Sequence, residues 1–200
     1  MKFIDERISW PHWQEFKPTT PWGTVPILTL SDGRVIGQQR AVLRFVGKET
    51  GLYPKDNFLA AKADELMDCV EDVNPLTSAA GRGLEMPEKE AARKAECEEG
   101  GSIYGLLHKI DDAILKNGSS QGFSVGNELT VADLFIYVGC NNLVGGIWDG
   151  VPTDCIDRFV NITQLRKSVR SHPGVSKWYD ELDASIKMPP SYNPFIVFCF

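Results

Sequence analysis

Two hundred residues with 42% hydrophobic content suffice for a substantial core, in one large domain or two small ones. The 27 acidic residues outnumber the 21 basic ones, and the net charge of -6 sets an unfavourable field for nucleic acid or an anionic membrane, with no local basic patch to offset it. The five cysteines, Cys69, Cys97, Cys140, Cys155 and Cys199, are odd in number and include no C-x-x-C pair, which argues against a disulfide frame or a zinc site and for free thiols in a reducing compartment, the cytoplasm by default. Met1 is followed at once by Lys2 and then by Asp5, Glu6 and Arg7, so no apolar signal core is visible, and no run approaches the ~20 apolar residues of a membrane span.

Taken in order, Met1 to Ser9 reads as a strand with Phe3 and Ile4 on opposite faces. Trp10 to Lys17, WPHWQEFK, is a short aromatic loop or helical turn in which tryptophan burial and a structural His12 are the plain expectation. Pro26 heads a strand, ILTL, at the position where its missing N–H costs least. Ser31-Asp32-Gly33 is a turn, Val35-Ile36 a second short strand, and from Gln38 the spacing of Ala41, Val42, Phe45 and Val46 becomes helical. A strand that runs into a helix N-terminus presents free N–H groups and a positive dipole end to a carboxylate or phosphate. Gln38 and Gln39 stand at that point. Glutamine is not a favoured N-cap, so the pair suits a polar ligand, although a plain solvated helix start fits the same spacing.

Lys48 to Asn57 mixes Gly, Pro and charges as a linker does. It divides an α/β domain over residues 1–50 from an all-α domain over 57–200. From Phe58, Leu59, Ala63, Leu66, Met67 and Val70 recur at three- and four-residue steps, and Asp64, Asp68, Glu71 and Asp72 form an acidic face of the same helix, most simply a solvated one. Pro75 should kink or end that helix, and Gly81 to Pro87 form a turn. A second long helix is predicted from about Glu88 to Lys116, with Ile103, Leu106, Leu107, Ile110 and Ile114 on its core stripe. Gly118 to Gly126 is a loop. Thr130-Val131-Ala132-Asp133 is a capping box before the apolar run LFIYV. His172-Pro173-Gly174-Val175 with Trp178 opens the last regular helix. The tail MPPSYNPFIVFCF is broken by prolines and ends in a β-prone, uncharged run from Phe195 to Phe200, which needs cover from the second domain or another surface.

The run WGTVPILTLSDGRVIGQQRAVLRFVG, with LTVADL and the HPGV…W pattern, resembles the cytosolic glutathione S-transferases, most closely the sigma-type branch that includes the glutathione-dependent prostaglandin D synthases. The resemblance implies a thioredoxin-like domain followed by an all-helical domain, helix-rich overall. It implies that Pro26 is cis and that the Val25 backbone pairs with the cysteinyl part of glutathione. Gln38 matches the γ-glutamyl contact, and Gln39 stands where relatives carry serine. Trp13 and Lys17 match donors to the glycyl carboxylate, chemistry that an indole N–H and an ammonium both suit. Asp72 matches an aspartate that crosses a homodimer interface to the partner's glutathione α-amino group. Asp68, Glu71 and Asp72 match an acidic cluster that binds a divalent cation, magnesium or calcium, at that interface in some relatives. Tyr104 lies where the family's helices border the electrophile pocket, and core packing explains it equally.

By the same resemblance the chain begins at the family's second strand. The first strand and helix, with the Tyr or Ser hydroxyl that binds the thiolate, are expected before Met1, so no catalytic residue is assigned within the chain. The size of that contribution follows from the thiol: ionising a group of pKa ~8.5 at neutral pH takes about two units, ~2.7 kcal/mol, and one hydrogen bond to a charged group supplies about 1.5–3 kcal/mol. The expected activity is glutathione conjugation to small apolar electrophiles, a detoxification role, or a glutathione-dependent isomerisation. The alternatives are a non-catalytic glutathione-binding or structural protein and a truncated gene product.

Overall fold

The computed structural model describes residues 3–117 and 122–181. These divide into two compact units that meet in sequence between Tyr53 and Pro54. The tail MPPSYNPFIVFCF and part of the predicted Gly118 to Gly126 loop lie outside the described residues.

The first unit opens with Phe3–Ser9, which is not a strand. Its single apolar alternation gives way to charges, Arg7 Nη2 lying 2.8 Å from Asp5 Oδ2, and among the described residues the sheet holds only the strands Ile27–Thr29 and Val35–Gly37, so no strand pairs with the segment. α1 (Trp10–Phe16) follows with Pro11 in its first turn, where a proline is pre-organised for the helix, and a 3-10 turn over Lys17–Thr19 continues it. β1 (Ile27–Thr29) and β2 (Val35–Gly37) pair antiparallel with Ile27 opposite Gly37 and Thr29 opposite Val35. Their turn is held by Asp32, which accepts from the Arg34 backbone N–H at 3.1 Å and from its Nε at 2.8 Å. α2 (Gln39–Thr50) then buries Val42, Leu43 and Gly47 and ends on Gly51 in the left-handed region, φ 77°. A terminal glycine there avoids the Cβ clash of that conformation.

The second unit is helical. α3 (Asn57–Glu71) is capped by Asp56, whose carboxylate accepts from the Phe58 and Leu59 N–H groups. The helix turns at Asp72 into α4 (Val73–Ala79), with Pro75 in the first turn of the new helix. The continuous helix predicted from Glu88 to Lys116 is in fact two: α5 (Glu88–Glu96) and α6 (Ser102–Asn117). Gly100 at φ 95° breaks the helix, and Gly101 lies so close to the Glu96 carbonyl that no Cβ fits. The Glu96 carboxylate then accepts from the Ser102 N–H and hydroxyl, both at 2.6 Å, so a charge from the end of α5 caps the start of α6.

α7 (Val131–Val144) runs through the middle of the core, burying Ala132, Phe135, Ile136 and Leu143 against Ala63, Leu66, Met67 and Val70 of α3 and Ile162, Leu165 and Val169 of α8 (Val160–Ser171). Gly139 lets Val70 of α3 press onto the α7 backbone. The capping box is present: buried Asp133 accepts from the Thr130 N–H at 2.7 Å, the Thr130 hydroxyl at 2.8 Å and the Ser124 N–H at 2.6 Å. α9 (Pro173–Glu181) begins at the HPGV motif. Among the described residues no helix is long and apolar enough to cross a membrane.

Candidate functional site

In the first unit the Val25–Pro26 peptide bond is cis. Pro26 precedes Ile27, and Gln38 follows Gly37; because Ile27 pairs with Gly37 in an antiparallel hairpin, Pro26 and Gln38 stand side by side at one end of the ladder. Val25 is 49% exposed there and lies beyond the last paired residues of the ladder.

Gln38 is the only described non-glycine residue with positive φ, at φ 70° and ψ 115°. Holding an L-residue there costs about 1–3 kcal/mol, and such strain persists where the surroundings fix it for a purpose. Its side chain makes no cap bond to α2. Gln39 is the first residue of α2, so the exposed Gln38 amide and the free N–H groups of the first turn share one end of that helix.

Trp13 on α1 and Lys17 on the following turn are linked by the Lys17 N–H donating to the Trp13 carbonyl. Trp13 is half-buried with its ring 6.4 Å from that of Phe16, whereas Lys17 is exposed, its stem lying over Gly23 with Cε 3.5 Å from where a Cβ would sit. Gly23 itself is at φ 64° in the loop leading to the cis bond. The preceding residue, Trp22, is 67% exposed and lays its indole on Gly37. Trp13, Lys17, Val25, Pro26, Gln38 and Gln39 therefore all belong to the first unit, and the loop 22–25 links the Lys17 stem to the end of the hairpin. Trp22 is a residue that sequence reasoning misses; its W-G step before the cis proline is the available signal, but exposure is not readable from spacing.

The other assigned residues lie in the second unit. Asp72 is exposed at the junction of α3 and α4 and lines a groove of about 720 Å³ with Pro75, Leu76, Arg82, Leu106 and Lys109. Its floor is apolar, while Asp72, Arg82 and Lys109 bring both charge signs to its walls. Tyr104 does not line this groove. Its ring packs 5.4 Å from that of Phe159 and lies 5.7 Å from the Arg158 guanidinium. Asp68 and Glu71 lie in the last turn of α3 and Asp72 at its C-cap, yet among the described residues no three His, Cys, Asp or Glu side chains are grouped to hold a metal ion. Cys69, on the same turn, has its thiol pushed up by burial first and then by Glu65, Asp72 and Asp68, which keeps it protonated.

Comparison with known proteins gives the same family from two directions. Residues 79–181 match the family model described as glutathione S-transferase, C-terminal domain. The probable glutathione S-transferase 9 of Caenorhabditis elegans is 31% identical over 184 residues, covering 90% of this chain and 84% of the relative. The hematopoietic prostaglandin D synthase of Gallus gallus is 29% identical over 183 residues, covering 89% and 82%. Among solved structures, the prostaglandin synthase D of Nilaparvata lugens superposes with a TM-score of 0.74 at 25% identity, over 92% of this chain and 87% of that one. The chain belongs to the glutathione S-transferase family, in its sigma-like, prostaglandin D synthase-related branch.

Proposed function

We propose that this chain binds glutathione in its first unit and uses it as cosubstrate for conjugation to small apolar electrophiles or for a glutathione-dependent isomerisation. The observation that carries the reading is Gln38, a strained, exposed, uncapped residue standing beside the cis Pro26 at the start of α2. In this reading the γ-glutamyl carboxylate meets the Gln38 amide and the N–H groups of the first turn of α2, with Gln39 beside it. The cysteinyl backbone adds along the backbone of Val25, as a peptide adds to an unpaired strand edge. The glycyl carboxylate lies between the Trp13 indole N–H and the Lys17 ammonium, both donors. Asp72 serves a second copy of the chain in a homodimer, meeting that copy's glutathione α-amino group.

In conjugation, the bound thiolate attacks the electrophilic carbon, a C–S bond forms, and the leaving group departs with its electron pair. No described side chain is assigned to thiolate activation. We place the protein in the cytoplasm, in a detoxifying role, where the unpaired thiols of Cys69, Cys97, Cys140 and Cys155 stay reduced.

The test is a conjugation assay with glutathione and a generic aryl halide, run beside the Gln38→Ala variant. Turnover above the uncatalysed rate that falls at least about tenfold in the variant, equivalent to ~1.4 kcal/mol of lost stabilisation, supports the reading. Turnover that is indifferent to Gln38 contradicts the assigned site. Glutathione binding with no turnover would instead favour a protein that holds glutathione without catalysis.

A further inference from the structure

From Phe3 to Ala41 the described chain buries a single residue, Thr20, at 7% exposure. A buried hydroxyl is costly unless it is hydrogen-bonded, and valine offers nearly the same shape without that cost. The Thr20 hydroxyl donates to the Lys17 carbonyl at 2.9 Å, and the Thr20 N–H donates to the same oxygen at 3.2 Å. The two lone pairs of that carbonyl are thereby used. Lys17 is held from its other side as well, because its N–H donates to the Trp13 carbonyl. Thr20 is itself extended, φ -86° and ψ 147°, the conformation favoured before a proline such as Pro21, and its own carbonyl accepts from the Gly23 N–H at 3.5 Å. Gly23 is the residue over which the Lys17 stem lies.

We propose that Thr20 is a positioning residue of the glutathione site, fixing Lys17 against Trp13 and against the loop 22–25 so that its ammonium is set for the glycyl carboxylate. The inference rests on the proposal that Trp13 and Lys17 meet that carboxylate. Thr20 acts through the Lys17 peptide unit and not on glutathione itself. With the hydroxyl in place, the backbone that carries the ammonium is fixed at both its N–H and its carbonyl, and the loop beneath the stem is tied to the same residue. Without it, the Lys17 carbonyl keeps one donor, and part of the order of a long, rotamer-rich side chain has to be supplied when the ligand binds.

Thr19 supplies the contrast. Its hydroxyl donates to the Phe16 carbonyl at 2.7 Å with the same three-residue reach, but Thr19 is exposed and holds a residue that makes no proposed contact with glutathione. The two threonines therefore make the same kind of bond in the same turn, and only one of them bears on Lys17.

The test is calorimetric titration of the whole chain, with folding checked first by circular dichroism. Thr20→Val should bind glutathione about threefold more weakly than wild type. Thr20→Ser, which restores the hydroxyl, and Thr19→Val should both retain wild-type affinity. Against γ-glutamylcysteine, which lacks the glycyl carboxylate, Thr20→Val should match wild type, a result that general loosening of the fold does not give. Thr20→Val combined with Lys17→Ala should bind glutathione no more weakly than Lys17→Ala alone, because both changes remove the same interaction. Full glutathione affinity in Thr20→Val, an equal loss for both ligands, an equal loss in Thr19→Val, or additive losses with Lys17→Ala would each overturn this inference while leaving glutathione binding standing. A folded wild type that binds no glutathione overturns the proposed function and this inference with it. Should Thr20→Val fail to fold, Thr20→Ala, which also lacks the hydroxyl, carries the same comparisons.

Discussion

The indole of Trp22 covers Gly37 so closely that a Cβ on residue 37 would lie 2.6 Å from its Cδ1 and 3.2 Å from its Nε1. This contact ties the loop before the cis proline to the strand residue that precedes Gln38, so the two halves of the proposed glutathione site are held by one glycine and one exposed ring. A Gly37→Ala change forces the indole away. Since Trp22 is exposed, the ring can swing aside and fold stability should change by less than about 1 kcal/mol. Glutathione affinity should nonetheless fall about fivefold, ~1 kcal/mol, because loop 22–25 loses its anchor. Calorimetric titration beside a denaturant melt separates the two effects, and equal losses in both would refute this account of the contact.

Gln38 offers a test in which stability and binding part company. Replacing it by Gly removes the Cβ that makes φ 70° unfavourable, so the melt should stay level or improve by up to about 1 kcal/mol after the entropy of glycine is set against the relieved strain. The amide is lost as well, so glutathione binding should weaken at least about tenfold. If Gln38→Gly destabilises the fold by several kcal/mol instead, the residue is structural and the reading of its strain is wrong.

Asp133 should dominate the folding of the second unit. It takes hydrogen bonds from Ser124 and, through backbone and hydroxyl, from Thr130, all without solvent access. Asp133→Ala strands these buried donors and should cost about 2–4 kcal/mol in a urea melt. Asp133→Asn keeps one acceptor oxygen and should cost less. An alanine variant as stable as wild type would show that the capping box is dispensable.

Glu96 gives a pH-dependent prediction. The hydrogen bonds from the Ser102 hydroxyl and N–H hold its carboxyl below the ordinary 4.5, against a smaller opposing effect of burial. A carboxyl whose folded value is depressed stabilises the fold above its unfolded value and loses that contribution as pH falls through the folded one. The stability gap between wild type and Glu96→Gln should therefore be constant from neutral pH down to about 5.5, then shrink steadily below 4.5. At neutral pH it should be modest, about 0.5–1 kcal/mol, because the pair is solvent-screened. A gap that widens on acidification would reverse the assigned sign.

How much of this was readable in advance depends on how local the physics is. The strand headed by Pro26, the Asp32-Gly33 turn, the Gln38 helix start and the Thr130–Asp133 box are set by neighbours within a few residues, and the sequence displays them, whereas the cis Val25–Pro26 bond is implied only by the family resemblance. Phe3–Ser9 reads as a strand by alternation, but pairing is a tertiary event, and no described strand lies beside it. The Glu88 to Lys116 stretch has continuous helical character, yet Gly100 and Gly101 turn it because the Glu96 carboxylate is in place to cap a second helix. Tyr104 is ambiguous from spacing, since either face of α6 suits an aromatic ring; packing on Phe159 settles its direction.

Glutathione titration by calorimetry, on the wild type and on Gln38→Ala and Lys17→Ala, tests the central claim most directly. The account predicts one saturable site per chain, at least about tenfold weaker affinity in Gln38→Ala, and a smaller loss in Lys17→Ala that fades as salt rises, because an exposed ammonium acts through screened charge. No saturable binding at millimolar glutathione in correctly folded wild type, or full affinity in the Gln38→Ala variant, would contradict it.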